Sequence, residues 1–163
     1  MAVTLVRLSS LGTCLVLTAV TPAPRLVGFH SATMRAAQVA VWPETERFVR
    51  DLRSKNVPDE VALFTPDAVF IDPGHHVTGT RSIRALCEKV AATFDSDIAL
   101  TAQRHVNAGR LDFETGTFRE NLRVRKTGHV QPYRGTYTFT LRRDADGRRR
   151  FSRMLWAITP ASS

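Results

Sequence analysis

A carboxylate and two histidines lie close together in the sequence, where an apolar run meets a turn. Asp72 follows residues 68–71, and a Pro-Gly pair separates it from His75 and His76. A carboxylate at the end of a strand can remove a proton from carbon, and a nearby histidine can pass that proton on. We expect Asp72 and His76 to be the catalytic groups of such a site, and His75 to contact the ligand. In the other interpretation, Asp72 only accepts hydrogen bonds from the turn backbone.

The same residue types could hold a metal ion, but their spacing does not favour one. Adjacent side chains on extended backbone point to opposite sides, so a shared ion would need one histidine together with Asp72 or Glu114. Cys14 and Cys87 are far apart in the sequence and form neither a ligand set nor a disulfide framework. No metal and no cofactor is expected.

Seven aromatic residues are candidates for the wall of an apolar ligand cavity, although most of them must belong to the ordinary core. Helices packed across a strongly bent sheet enclose a cone that side chains need not fill. We therefore expect a pocket beside Asp72. The candidate ligand-binding aromatics are Trp42, Phe48, Phe64, Phe70, Phe113, Tyr137 and Trp156.

Three helices and a short hairpin are predicted in the first half of the folded region. Apolar residues from Trp42 to Leu52 recur at helical spacing, and Pro43 suits the first turn of that helix. Thr80 is expected to cap the third helix. Between these two helices, the predicted elements are a helix at 58–64, a strand at 68–71 and a brief return strand at 77–79.

Four long antiparallel strands are predicted in the second half. Turn-forming residues at 107–109, 126–129 and 144–147 separate alternating apolar runs. The expected strands are 98–106, 111–124, 133–141 and 150–158.

Two of these strands have an irregular apolar phase. In strand 111–124 the phase changes between Phe113 and Phe118, which predicts a bulge or a sharp bend near Gly116. In strand 150–158 both parities carry apolar side chains. Both faces of the sheet are therefore expected to be buried there, the outer face most simply against a second copy of the chain.

Positive charge is the main compositional feature of the chain. Its 163 residues have a net charge of +8, so nucleic acid must be considered as a partner. Much of the excess comes from arginines in one predicted hairpin, 142–153, where a solvated turn is the commoner role. Only Phe151 interleaves those arginines, so no base-stacking platform is evident. Nucleic-acid binding is not expected.

Residues 1–35 are expected to lie outside the fold, as a signal-like or disordered extension of a domain spanning 36–160. Residues 8–20, thirteen residues without charge, follow Arg7 and precede Thr-Pro-Ala-Pro at 21–24, a length that suits a signal peptide and is too short for a stable membrane span. Three interpretations stay open. The protein is secreted or periplasmic if residues 1–23 or so are a signal peptide, and cytoplasmic if translation starts at Met34. In the third interpretation the segment is an organelle transit peptide.

Three helices followed by a bent antiparallel sheet resemble the cystatin-like α+β roll of the nuclear transport factor 2-like superfamily, specifically its SnoaL-like and ketosteroid isomerase-like branch. The chain also resembles the branch with a calmodulin-kinase-association-like domain. The resemblance implies an α+β fold with about three N-terminal helices packed on a strongly bent antiparallel sheet. The resemblance rests on six segments of the sequence: the first-helix block, FTPDAVFIDP at 64–73, Gly79 with Ile83, Glu114-Thr115-Gly116, Gly135-Thr136-Tyr137, and the ending from Asp146 to Trp156.

The resemblance to ketosteroid isomerases also implies a mechanism. In that family a carboxylate in the position of Asp72 moves a proton beside a carbonyl, while a tyrosine and a protonated aspartic acid hold the enolate oxygen. The tyrosine position corresponds to Phe48, and the aspartic-acid position to Thr136 or its neighbour. Phenylalanine donates no hydrogen bond, and losing one such donor costs about 3 to 4 kcal/mol of transition-state stabilisation. Steroid isomerase activity is therefore not expected.

Together these features predict a domain that binds a small apolar molecule, with weak acid/base chemistry of the isomerase or cyclase type at Asp72. A homodimer through the outer sheet face is expected. The alternative is a non-catalytic dimerisation or protein-association domain that uses the same outer face.

Overall fold

Three helices and six strands make up residues 39–159, the part of the chain that this computed structural model describes. The extension predicted for residues 1–35 lies outside the described residues. The helices are α1 (Pro43–Ser54), α2 (Val57–Ala62) and α3 (Thr80–Thr93). The strands are β1 (Phe64–Asp72), β2 (His75–Thr78), β3 (Phe94–Ala108), β4 (Leu111–Val124), β5 (Val130–Arg143) and β6 (Arg149–Ile158).

Local chemistry explains where the helices begin and end. Pro43 occupies the first turn of α1, where its missing N–H group is not needed for a helical hydrogen bond. Glu44 follows it, and its carboxylate is favourable near the helix N-terminus. Lys55 ends α1 in the left-handed conformation, with a φ of 59°. Gly79, with a φ of 81°, precedes α3, and no side chain caps this helix. The predicted cap at Thr80 is therefore wrong, because Thr80 is already the first helical residue.

The six strands form one sheet in the order β2-β1-β6-β5-β4-β3. The predicted meander is present, since β3, β4, β5 and β6 pair antiparallel in sequence order. The β1–β6 pair is parallel, with Phe70 beside Met154. The N-terminal hairpin of β1 and β2 therefore extends the sheet beyond the last strand, and the sheet is mixed where a wholly antiparallel one was expected.

Two bulges curve the sheet and change which positions along a strand point to the core. Gln103 is an extra residue in β3, opposite the step from Thr115 to Gly116, so the bulge predicted near Gly116 lies on the neighbouring strand. Ser152 is an extra residue in β6, which brings Phe151 and Met154 onto the same face. Apolar side chains at both odd- and even-numbered positions of β6 can therefore lie on one buried face of the sheet.

The core lies between the helices and the inner face of the sheet. Phe48 from α1 packs in edge-to-face geometry against Phe64, Phe139 and Phe151, with ring centroids 6.0 to 6.4 Å apart. Aromatic contacts of this kind stabilise a core beyond the area that they bury. They hold α1 across the sheet and leave space between α2, α3 and the strand ends.

No helix covers the outer face of the sheet within residues 39–159. Threonines alternate with buried residues on β4 and β5, and Leu155 of β6 is 45% exposed there. Among the residues described, no helix is long and apolar enough to cross a membrane.

Candidate functional site

A cavity of about 350 Å³ lies between α2, α3 and the inner face of the sheet. Its walls are mainly apolar. The aliphatic wall residues are Leu52, Leu86, Val90, Ile98, Leu122 and Ile158, and the aromatic ones are Phe70, Phe94, Phe118, Tyr133 and Trp156. Pockets of this volume with a few polar groups among apolar walls commonly bind small molecules.

Asp72 and His75 form a pair at the rim of this cavity. They are opposite residues of the β1–β2 hairpin. The Nδ1 atom of His75 lies 3.0 Å from Oδ1 and 3.1 Å from Oδ2 of Asp72. The backbone N–H of Gly74 donates to Asp72 Oδ1 at 2.7 Å. Asp72 therefore accepts the expected hydrogen bond from the turn and also holds a histidine beside the opening, with 27% of its own side chain exposed.

Glu60 places a second carboxyl group deeper in the cavity. It lies on α2, which begins where Asn56 accepts a hydrogen bond from the backbone N–H of Asp59. Glu60 is only 3% exposed, and the thiol of Cys87 on α3 donates to its Oε1 at 3.3 Å. Burial raises the pKa of Glu60 to about 7, the Cys87 hydrogen bond lowers it, and the nearby Asp51 charge raises it. A carboxyl group that titrates near neutral pH in a cleft is typical of functional sites.

Glu120 is the third carboxyl group in the cavity wall. The hydroxyl of Ser96 donates to Glu120 Oε1 at 2.6 Å. Burial raises the pKa of Glu120, and the Ser96 hydrogen bond lowers it. The indole Nε1 of Trp156 is buried and has no hydrogen-bond acceptor among residues 39–159. Two uncharged side chains of this wall carry a hydrogen-bond donor: Trp156 has an indole N–H group and Tyr133 has a hydroxyl group.

Four of the predicted site residues line the cavity, namely Phe70, Asp72, His75 and Trp156. His76 does not: it is exposed and lies opposite Ile71 on β1. Because neighbouring residues of a strand face opposite sides, His75 takes the place beside Asp72 that was expected for His76.

The other predicted ligand-binding residues lie away from the cavity. Phe48 and Phe64 are core residues, each 3% exposed. Phe113 alternates with the buried Glu114 along β4 and so belongs to the outer face. Trp42 and Tyr137 contact Glu114, which is fully buried.

Glu114 is the centre of a separate buried polar cluster. The backbone N–H of Trp42 donates to its Oε2 at 2.7 Å, and the Tyr137 hydroxyl donates to its Oε1 at 3.0 Å. His105 Nε2 lies 2.9 Å from Oε2, and its ring stacks on Trp42 with centroids 4.4 Å apart. Burial and the Glu114 carboxylate raise the pKa of Tyr137. This cluster attaches the start of α1 to the sheet.

The sequence prediction missed Glu60 and Glu120 as cavity residues, although periodicity contains the signal. Glu60 shares one helical face with Val57 and Val61, because the three lie at i, i+3 and i+4. Glu120 has the same strand parity as Phe118 and Leu122. In both cases a charged residue occupies a position that the local period assigns to the inside.

Within the residues that the structure describes, no group of three or more histidine, cysteine or acidic side chains is arranged to hold a metal ion.

Known proteins resemble this chain in sequence profile and in fold. The SnoaL-like domain profile matches residues 45–150. No curated protein matches the sequence.

Solved structures with a similar fold include a ketosteroid isomerase-like protein from Erwinia carotovora atroseptica. It is 20% identical, with a TM-score of 0.67, over 72% of this chain and 92% of that one. A nuclear transport factor 2-like superfamily protein from Salmonella enterica is 15% identical, with a TM-score of 0.67, over 74% and 89%. A candidate dehydratase of the same family from Streptomyces avermitilis is 14% identical, with a TM-score of 0.64, over 72% and 93%. Likeness at these identities shows the fold.

Proposed function

The chain belongs to the SnoaL-like domain family, and we propose that it binds a small, mainly apolar molecule in the cavity between α2, α3 and the sheet and exchanges protons with it at Asp72. Domains of the nuclear transport factor 2-like fold bind small molecules, and some act as isomerases or dehydratases. The observation that carries the proposal is the cavity itself, which combines apolar walls with a carboxylate and histidine pair at its rim.

Asp72 and His75 would divide the proton-transfer work. The Asp72 carboxylate accepts a proton from the bound molecule, and His75, held 3.0 Å away, fixes the carboxylate in place and can exchange that proton with solvent. A developing oxyanion would need a donor, and the hydroxyl of Tyr133 in the wall can supply one, whereas the indole N–H of Trp156 is buried. Phe48, at the position of the isomerase tyrosine, lies in the core.

A carbon acid of suitable size tests this proposal. With 5-nitrobenzisoxazole, whose ring opens when a base removes its C–H proton, we expect a saturable rate that Asp72→Asn lowers at least tenfold. Asp97→Asn, which removes an exposed carboxylate outside the cavity wall, is the matched control and should leave the rate unchanged. An unchanged rate in Asp72→Asn would remove Asp72 from the chemistry. A rate without saturation would argue against binding in the cavity.

The second part of this proposal concerns the outer face of the sheet, which would serve for a homodimer or for association with another protein. We infer that a second copy covers the outer face at its Leu155 end. Leu155 is 45% exposed there and lies opposite Thr138 of β5. If outer-face substitutions abolished function and Asp72→Asn left it intact, the association role would replace the enzymatic one.

A further inference from the structure

We propose that the molecule bound in the cavity is an apolar cation, that is, an aryl or alkyl ammonium compound. This inference rests on the proposed function, because it names the class of ligand that the same cavity would take. It follows from three properties of the wall: the sign of its charges, the hydrogen bonds that its carboxyl groups leave open, and its aromatic content.

The charges of the wall are acidic, although the whole chain is basic. Glu60, Asp72 and Glu120 line the cavity, and within residues 39–159 no lysine or arginine does. The one basic side chain in the wall, His75, is already paired with Asp72. The chain has a net charge of +8, so an acidic cavity is a local feature that the overall composition does not explain.

The two inner carboxyl groups each have an oxygen that remains available. Cys87 donates to Oε1 of Glu60 and Ser96 donates to Oε1 of Glu120, whereas the Oε2 atoms accept no hydrogen bond from the described residues. A buried carboxylate is costly unless a donor or a positive charge compensates it. A cation in the cavity would supply that compensation to both groups.

The environment of Glu60 supports the same ligand class. Burial raises its pKa to about 7, so the group is divided between its neutral and charged forms near neutral pH. The charged or titratable groups around it are Asp51 on α1, Cys87 and Arg84 on α3, and Glu120 and the Asp72–His75 pair across the cavity. A cationic ligand would favour the ionised form, because opposite charges stabilise each other at close range.

Aromatic rings supply the apolar part of the contact. Phe70, Phe94, Phe118, Tyr133 and Trp156 all line the cavity. The face of an aromatic ring attracts an ammonium group through its quadrupole, and several rings around one cation form the usual site for quaternary ammonium ligands. Rings and carboxylates in one wall therefore favour a cation over a neutral molecule of the same shape.

Three aromatic probes of similar size and different charge test the inference. They are benzyltrimethylammonium, its neutral isostere neopentylbenzene, and the anion 4-tert-butylbenzoate, with affinities measured by calorimetry and tryptophan fluorescence. We expect the cation to bind at least tenfold more tightly than the neutral probe, and the anion more weakly than either. The double variant Glu60→Gln with Glu120→Gln should lose that tenfold preference and keep its affinity for the neutral probe.

Glu88→Gln is the matched control, because it removes one exposed negative charge from α3 beside Cys87 and does not touch the wall. Its cation preference should equal that of the wild type. Equal binding of cation and neutral probe, or a preference that survives in the double variant, overturns the inference and leaves the proposed function standing. If none of the three probes binds, the proposed function itself is overturned.

Discussion

Asp72 and Glu60 are carboxyl groups of one cavity in different environments. Asp72 lies at the rim, bonded to a turn amide and a histidine, whereas Glu60 lies inside against a thiol. Differences of environment of this kind can separate the roles of two acids in one site. Asp72 is thus suited to accept a proton, and Glu60 to respond to the charge of the ligand.

Glu60→Gln should stabilise the protein at alkaline pH. The pKa of Glu60 rises from 4.5 to about 7 on folding, so the folded state binds the proton more tightly than the unfolded state. Its stabilising contribution is complete below pH 4.5 and is lost as the pH rises to about 7, a change of about 3 kcal/mol. Denaturant unfolding of both proteins at pH 4 and pH 8 should show this difference. A difference in stability that is independent of pH would refute it.

Glu114→Ala should destabilise the fold by about 3 kcal/mol, because it leaves the Tyr137 hydroxyl and the Trp42 amide without their acceptor. Glu114→Gln keeps one acceptor oxygen and should lose about 1 kcal/mol. Urea unfolding of the two variants measures the difference. Equal losses would mean that packing, and not hydrogen bonding, determines the contribution of this side chain.

Sequence reasoning located the rim of the candidate site and two of its aromatic wall residues, Phe70 and Trp156, and missed its inner carboxyl groups. Asp72 and His75 could be found because a polar cluster after an apolar run marks the end of a strand. Glu60 and Glu120 escaped, because a charged residue is normally assigned to the surface, and only the facing elements show that these two are enclosed. The Cys87 thiol that contacts Glu60 is 27 positions away in sequence, a distance over which local patterns carry no information.

At the scale of elements, two of the four long strands have close to their predicted bounds, whereas β3 and β5 begin four and three residues earlier than predicted. Strand β4 occupies the predicted residues 111–124, and β6 begins one residue before its predicted start. Strand β1 begins four residues earlier than predicted, since the edge of the sheet beside β6 accommodates Pro66. The parallel β1–β6 pair could not be derived from sequence, because the residues of one strand do not indicate which distant strand it pairs with.

Ion pairs between elements fix the arginines of the β5–β6 hairpin. Arg142 pairs with Asp67 at 2.8 Å, and Arg150 pairs with Asp146 at 2.8 Å and also with Asp144. Arg149 pairs with Glu44 at 2.9 Å. The hydrogen bonds from Arg142 lower the pKa of Asp67. These pairs hold Arg142, Arg149 and Arg150 against carboxylates of the fold, and the net charge of +8 is the same with or without them.

Gly116→Ala should destabilise the sheet by about 3 kcal/mol. A Cβ atom at this position would lie 2.1 Å from the carbonyl oxygen of Thr101 and 2.8 Å from the Tyr137 side chain. The β3 bulge holds that carbonyl close, so the strands would have to separate. Gly74→Ala, whose Cβ would meet nothing nearer than 3.5 Å, is the control. Thermal unfolding should show a large loss for the first variant alone, and equal midpoints would contradict this account.

At the scale of the whole molecule, the outer sheet face should govern assembly. Light scattering coupled to size-exclusion chromatography should give a dimer for the wild type and a monomer for Leu155→Arg, since a buried arginine without a partner is costly. Ala85→Arg, on the exposed side of α3, should remain a dimer. A monomeric wild type, or a dimer that survives Leu155→Arg, would exclude this interface.

The parallel pairing of β1 with β6 sets the order in which the molecule can be completed during translation. Leu155, the partner of Ile71, is made 84 residues after it, which takes about 4 to 17 s at ordinary rates of synthesis. Until then β1 has an open edge next to the finished hairpin, and such edges recruit other strands. The nascent chain therefore carries the rim of its own cavity on an unpaired hairpin until β6 has been synthesised.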